Sequence, residues 1–340
     1  MTAALSAAHR ARKFLLAGQQ PLGWWSDFRL APGASTLWVT AYVGAALARS
    51  GGRDAAMRAW RFLRRWVAGG WGYSQATPPD ADSTAWCLGL AAMLEWRQDP
   101  LVEDARRFLT SCTRSDGGLA TYPCNDDIRC FVGAGAADSF AGWQGSCLCV
   151  TAAAARLGVA GTGACDFIAR AQRPDGSWAS YWWVEDEYAT VMAALALMRR
   201  GTPADMRAVS CAANWAAARV GGNGAVPSSV LPEGSAFATA LVLELLAACP
   251  ADAPAARRAV TWLHDRQEPD GRWPPSAGLR VPAPGVTAPD AHSGWRMGGM
   301  REGSVALDIC GAFTAATAMS ALSAWAAHSS AQPVLIDFVP

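Results

Sequence analysis

Two carboxylates, Asp80 and Asp82, stand two residues apart in the stretch Gly69-Gly70-Trp71-Gly72-Tyr73-Ser74-Gln75-Ala76-Thr77-Pro78-Pro79-Asp80-Ala81-Asp82-Ser83-Thr84-Ala85-Trp86. The stretch reads as a glycine turn, a proline-stiffened loop and the start of a helix. No further polar residue follows Trp86 until Glu95, so that helix is apolar on nearly every side and belongs inside the protein. A carboxyl group at the mouth of such a helix can hold its proton to high pH and act as a proton donor. The same spacing also suits a helix cap, with Asp82 or Ser83 accepting from the free amides of the first turn. Two close carboxylates cannot both ionise easily, so Asp80 would help Asp82 keep its proton.

The elements that must position these groups repeat along the chain. The template is aromatic–Leu/Ile–x3–Gln–x3–Gly–x–Trp. It is clear at Phe14…Gln19…Gly23-Trp24-Trp25, at Phe167…Gln172…Gly176-Ser177-Trp178 and at Trp262…Gln267…Gly271-Arg272-Trp273. Degenerate copies begin at Phe62, Phe108 and Trp215, so successive units are 48, 46, 59, 48 and 47 residues long. In each, a moderately charged helix ends at the Gln–Gly turn, and an Ala-rich apolar helix follows. These apolar helices are expected to begin near Ser35, Ser83, Gln144, Glu187, Ser235 and Val305. Six such pairs give an all-α fold: an α/α toroid of about twelve helices, with an inner and an outer ring, spanning 1–340 as a single domain. The tryptophans of the turns are read as structural, stacked on the glutamine and the helix end.

Two units carry insertions, at about 123–140 and 274–304. All turn-to-inner-helix loops fall on one end of a toroid, so both insertions are expected to wall or cover the barrel mouth. Residues near the inner-helix starts then become candidates for substrate contact: Tyr73, Trp86, Trp143, Cys147, Glu187, Tyr188, Phe237, Asp308 and Phe313. Together they describe an apolar, aromatic cavity with a few carboxylates at one end, which suits a small hydrophobic polyene and its cations. Acidic residues in a first helical turn are also favoured by the helix dipole alone, and Glu187 fits that account too.

The acidic segment Pro79-Asp80-Ala81-Asp82-Ser83-Thr84-Ala85 resembles the Asp-x-Asp-Asp-Thr-Ala motif of squalene-hopene cyclases and other class II terpenoid cyclases. The Gln–Gly–Trp turns resemble the QW repeats of the same family, over essentially the whole chain. The resemblance implies proton-initiated cyclisation or isomerisation of an isoprenoid, with Asp82 as the acid and Asp80 as its partner. Ser83 stands where the family has its third aspartate. A histidine often supports the acid in that family, which brings in His292 if the second insertion folds over the mouth. No metal ligand set and no required cofactor are expected, with Mg2+ implied only for a substrate carrying a diphosphate. Arg129, Arg280, Arg296 and Arg301 in the insertions could face such a group. The family usually pairs two barrels, whereas this chain has length for one, so the insertions or a homodimer would have to complete the site.

Protein prenyltransferase β-subunits also use a lone toroid, and Asp308-Ile309-Cys310 has their Asp-x-Cys spacing, but the third zinc-ligand position holds no histidine. A non-catalytic lipid-binding toroid is the remaining alternative. Composition narrows the rest. The chain is 51% hydrophobic and 17% charged with a net charge of +1, which argues against disorder and against a nucleic-acid partner. Ten scattered cysteines, no CxxC pair and no signal peptide suit reduced thiols and a cytoplasmic location. Peripheral membrane contact stays open.

Overall fold

The computed structural model describes residues 2–124, 126–249 and 253–331. Outer helices α1 (Thr2–Gly18), α3 (Arg53–Leu63), α5 (Pro100–Ser111), α9 (Ala164–Arg170), α11 (Pro203–Arg219) and α13 (Ala253–Asp265) alternate with inner ones. The inner helices are α2 (Leu37–Arg49), α4 (Ala81–Met93), α8 (Leu148–Leu157), α10 (Glu187–Arg200), α12 (Ala236–Ala248) and α14 (Ala312–Ala331). A short helix, α6 (Asp127–Val132), lies in the first insertion, and another, α7 (Ala141–Gln144), follows it. Each inner helix packs on the next, and α14 returns to α2, so the six close a ring. The fold is therefore an α/α toroid. Alanine and glycine permit the close approach: at Gly44 and Gly89 a Cβ would strike Leu90 and Leu157 of the adjacent inner helices.

The repeat template is a packing device. The indole N–H of Trp25, Trp71, Trp178 and Trp273 donates to the carbonyl of Leu15, Leu63, Ile168 and Leu263 at 2.8, 2.9, 2.7 and 2.8 Å, tying each turn to the outer helix before it. The Gln19, Gln172 and Gln267 amides each donate twice. One bond goes to the glycine four residues on, and the other crosses to the next outer helix, at Ala55, Ala208 and Ala7. The bond from Gln267 to Ala7 O, 2.9 Å, joins the last unit to the first and closes the outer ring. Gly271, at φ 96°, lies so close to Arg10 O that no Cβ would fit.

A second repeated bond holds turn to inner helix. Thr40, Thr84, Thr151, Thr190 and Thr239 each accept, at their hydroxyl, the backbone N–H of the turn residue: Trp25, Trp71, Leu119, Trp178 and Val226.

Two inner helices start later than the sequence implies. The run to Gln144 is the separate helix α7, Gly145 is extended, and α8 begins at Leu148. Val305 is in a strand. Strands β1 (Asp27–Leu30) and β2 (Gly33–Ser35) form a hairpin, and β3 (Gly278–Val281), β4 (Arg296–Met297) and β5 (Ser304–Leu307) form a sheet ordered β3-β5-β4. Val305 pairs with Arg280 across the antiparallel β3–β5 edge. Helix α14 starts only at Ala312, where Asp27 accepts from the N–H groups of Cys310, Ala312 and Phe313 and Asp308 from that of Thr314.

Trp178 is fully buried and hydrogen-bonded, so Trp178→Ala should lower unfolding free energy by about 3–5 kcal/mol. Trp66 is exposed, and Trp66→Ala should change it by less than about 1 kcal/mol. Urea denaturation of both variants measures the contrast.

Candidate active site

The first turn of α4 assigns the two aspartates different work. Asp80, extended at φ −129° and ψ 159°, is the N-cap. Its Oδ1 accepts from Ser83 N and its Oδ2 from Ser83 Oγ, both at 2.7 Å. The cap is thus neither Asp82 nor Ser83, because a cap must precede the helix and accept from its third residue. Asp82, two residues on, is released from backbone duty. Its Oδ1 is enclosed and has no hydrogen-bond partner. The Trp38 indole faces it and favours ionisation, but the two do not reach hydrogen-bond geometry.

Burial first, and then the Asp80 charge, push the Asp82 carboxyl well above the ordinary range. Asp80 is pushed up only to about 6, because burial is offset by the Ser83 donors. Between the two, Asp82 therefore holds its proton more tightly and Asp80 gives its proton up first.

Both aspartates line a cavity of about 680 Å³ at the N-terminal end of the inner ring. Its walls are Trp38, Tyr73, Tyr122, Trp143, Trp182, Trp183 and Tyr188, with Cys149, Leu279 and Val281. The first insertion contributes Ile128, Phe131 and Val132, and the second contributes Arg296, Met300, Arg301 and Glu302. The insertions are fastened to each other and to the barrel. Gly142 N and Trp143 N donate to Pro284 O, the Trp143 indole to Pro282 O, and Tyr181 OH to Val286 O. Buried Arg280 donates to the carbonyls of Tyr181 and Ser180 and to Asp290, so it is a latch and is not free for a substrate anion. Arg129 is likewise committed, to Gly135 O and Asp138 O.

Of the residues singled out in the sequence, Asp80, Asp82, Tyr73, Trp143 and Tyr188 line the cavity. Phe313 and Phe237 lie behind its wall. Phe313 stacks on Tyr42 with centroids 3.7 Å apart and touches Trp38 at 4.8 Å, while Phe237 stacks on Trp183 at 5.0 Å. Trp86 packs on Tyr42 at 4.5 Å, and the buried Cys147 thiol lies 3.5 Å from that of Cys149. Three assignments need correction. Glu187 is buried outside the cavity, paired 2.6 Å from Arg219 Nε. Asp308 is spent on the backbone, accepting from Ser276, Ala277 and Thr314 N–H at 2.8, 3.0 and 2.8 Å. His292 is exposed and packs edge-on against Trp295, so it does not support the acid. The second insertion does reach the mouth, but it presents residues 296–302 to the cavity and turns His292 outward.

Sequence reasoning missed Trp38, Tyr122, Cys149, Trp182 and Trp183. A positional signal existed for two of these. The second residues of the six inner helices are Trp38, Asp82, Cys149, Tyr188, Phe237 and Phe313. Four line the cavity, and the two phenylalanines back its wall. Among the described residues no group of three His, Cys, Asp or Glu is arranged to hold a metal, and no helix is long and apolar enough to cross a membrane.

A carboxyl group that holds its proton more tightly folded than unfolded contributes stability below about pH 4, and that contribution is lost as pH rises. Asp82→Asn removes this loss. The variant should be more stable than the wild type at about pH 8, with the gap closing toward about pH 4, as read by urea denaturation across pH.

The family model for the squalene-hopene cyclase C-terminal domain matches residues 34–278. Among solved structures, the type II terpene cyclase MstE from Scytonema, in complex with its substrate geranylgeranyl dihydroxybenzoate, is 34% identical. The match has a TM-score of 0.92 and covers 96% of this chain and 98% of that one. A protein from Actinoplanes is 36% identical with a TM-score of 0.88, covering 95% of this chain and 99% of that one. An ent-copalyl diphosphate synthase from Streptomyces platensis, at 20% identity and TM-score 0.61, shares the fold over 86% of this chain and 52% of its own. No curated protein sequence matches significantly. The MstE match spans nearly all of both chains, so the one-toroid extent that set this sequence apart is shared by a type II cyclase. The chain therefore belongs to the squalene-hopene cyclase family and is a class II terpenoid cyclase, an enzyme that starts cyclisation with a proton.

Proposed function

We propose that Asp82 is the general acid and that the substrate is a polyprenyl chain with an anionic head, bound tail-first. The observation that carries this reading is the enclosed, unpartnered Asp82 Oδ1 beside a cap that Asp80 already supplies. The Asp82 O–H proton passes to the terminal alkene of the tail. The π electron pair forms the new C–H bond, and a tertiary cation remains. Further π bonds of the folded chain then attack in turn, closing rings. A carboxyl group that holds its proton this tightly is not a strong acid by itself. The transfer is helped by stabilising the product cation: the faces of Trp38, Trp183, Tyr188 and Tyr73 offer negative quadrupole density, and the new Asp82 carboxylate pairs with the cation it made.

The head group is assigned by the other end of the cavity. Arg296 and Arg301 line the mouth, and the Arg296 guanidinium donates to Glu302 O at 3.1 Å. That much positive charge suits a carboxylate, as on the dihydroxybenzoate head of the MstE substrate. A diphosphate would bring Mg2+, and the described residues offer no cluster of three or more His, Cys, Asp or Glu for it. The volume of about 680 Å³ lies within the range of small-molecule sites. Exposed Phe131, Val132, Met297 and Met300 around the mouth support delivery of so greasy a substrate from a lipid surface.

The test is product analysis by mass spectrometry over C10 to C30 polyprenyl substrates, free, as diphosphates and as dihydroxybenzoates. A cyclised isomer of unchanged mass is expected from a prenylated acid, with Asp82→Asn slower by about 10²–10⁴-fold or more. Equal turnover by the variant would reduce Asp82 to a structural residue. Arg301→Ala should raise KM about 10-fold for the acid substrate and leave kcat nearly unchanged, the signature of uniform binding.

A further inference from the structure

Cyclisation to an alkene returns the proton it takes, so a base must stand where the final cation forms. Positive charge leaves the protonated carbon as each ring closes and moves along the chain toward the head. The base therefore belongs at the opposite end of the cavity from the acid. Among the described residues lining the cavity there are three carboxylates: Asp80, Asp82 and Glu302. The first two share one helical turn at the floor, and both oxygens of Asp80 are engaged by Ser83. The other polar side chains of the lining include the cationic Arg296 and Arg301 and the neutral hydroxyls of Thr77, Thr121 and Tyr122.

Glu302 is at the mouth, on the turn between β4 and β5. Its backbone is held from several directions. Arg296 N donates to Gly303 O at 3.0 Å, Gly303 N to Val281 O at 2.8 Å, Ala31 N to Met300 O at 2.7 Å, and the Arg296 guanidinium to Glu302 O. The Glu302 carboxylate itself pairs with none of the described residues. The turn thus fixes the backbone and leaves the side chain uncommitted over the cavity.

We infer that Glu302 is the base that ends cyclisation. Resting on the assignment of Asp82 as the acid, it extends that reading to the other end of the reaction. A C–H bond next to the final cationic carbon breaks, its electron pair becomes the new C=C bond, and the proton goes to a Glu302 oxygen. Glu302 is exposed, so it passes that proton to bulk water. Asp82 takes one back from water after product leaves. A C–H beside a carbocation is acidic enough that any carboxylate suffices, so position, not basicity, selects Glu302. Its effect is on which product forms, because an unclaimed cation is caught by water or loses a different proton.

The experiment compares wild type, Glu302→Gln, Glu302→Ala and Glu302→Asp on geranylgeranyl dihydroxybenzoate and on geranylgeraniol, with products resolved by chromatography, mass and NMR. The wild-type alkene's share should drop roughly 10-fold in the Gln and Ala variants, replaced by double-bond isomers or an alcohol one water heavier, and recover in part with Asp. An unchanged product ratio in Glu302→Gln, with or without a raised KM, overturns the assignment, since a head-group contact or a purely structural side chain moves KM alone. A wild-type product that is already an alcohol overturns it as well. A wild-type chain that cyclises neither substrate overturns the prenylated-head reading, and the base, which is argued from charge moving toward that head, falls with it.

Discussion

The site depends on one capping interaction. Helix α4 needs an acceptor for its first amides, and in this sequence two aspartates could supply it. Asp80 does, with both oxygens clamped by Ser83. A cap of this kind is worth about 1 kcal/mol to the helix, but its larger consequence is what it frees. The Asp82 Oδ1 is left enclosed, with no donor and no cation to draw its proton away. Ser83 is well chosen for that division: it donates to Asp80 and adds no further negative charge to the floor.

The toroid turns one helical turn into a wall. Six inner helices begin at one end of the barrel, so their second residues converge on the axis. Trp38, Cys149 and Tyr188 line the cavity with Asp82, and Phe237 and Phe313 back its wall, because the repeat places the same position of each unit on one ring. The register is kept by the turns. Trp25, Trp71 and Trp178 are each tied backward to the outer helix by the indole and forward to a threonine of the inner one by the backbone. A shift of one residue in any inner helix would break that bond and rotate its cavity residue by about 100°.

The insertions complete what a bare toroid leaves open. The second is held by hydrogen bonds along 278–290, with Arg280 and Arg173 both meeting Asp290. Its tip, residues 296–303, carries the uncommitted charges. The aromatic floor with its two aspartates and the arginine-bearing rim thus come from different parts of the chain. The floor comes from the periodic helices and the rim from the segment that interrupts the period. An amphiphile with one greasy and one polar end is complementary to that division.

The sequence by itself determined the toroid, the alternation of inner and outer helices, the structural role of the turn tryptophans and the place of the two aspartates. These are local or periodic properties: hydrophobic runs, glycine turns and repeat spacing survive in one dimension. Five cavity-lining residues were legible for the same reason, since they sit near inner-helix starts. Only the tertiary structure decided which aspartate caps and which is free, because that depends on a φ/ψ value at Asp80 and on where Ser83 turns. Likewise Glu187 and Asp308 look like site acids in sequence but are spent on Arg219 and on backbone amides brought from elsewhere. His292 and Glu302 are ten residues apart in one insertion. Which of them reaches the cavity is set by a three-stranded sheet whose pairing brings together residues distant in the chain, and no spacing rule carries that information.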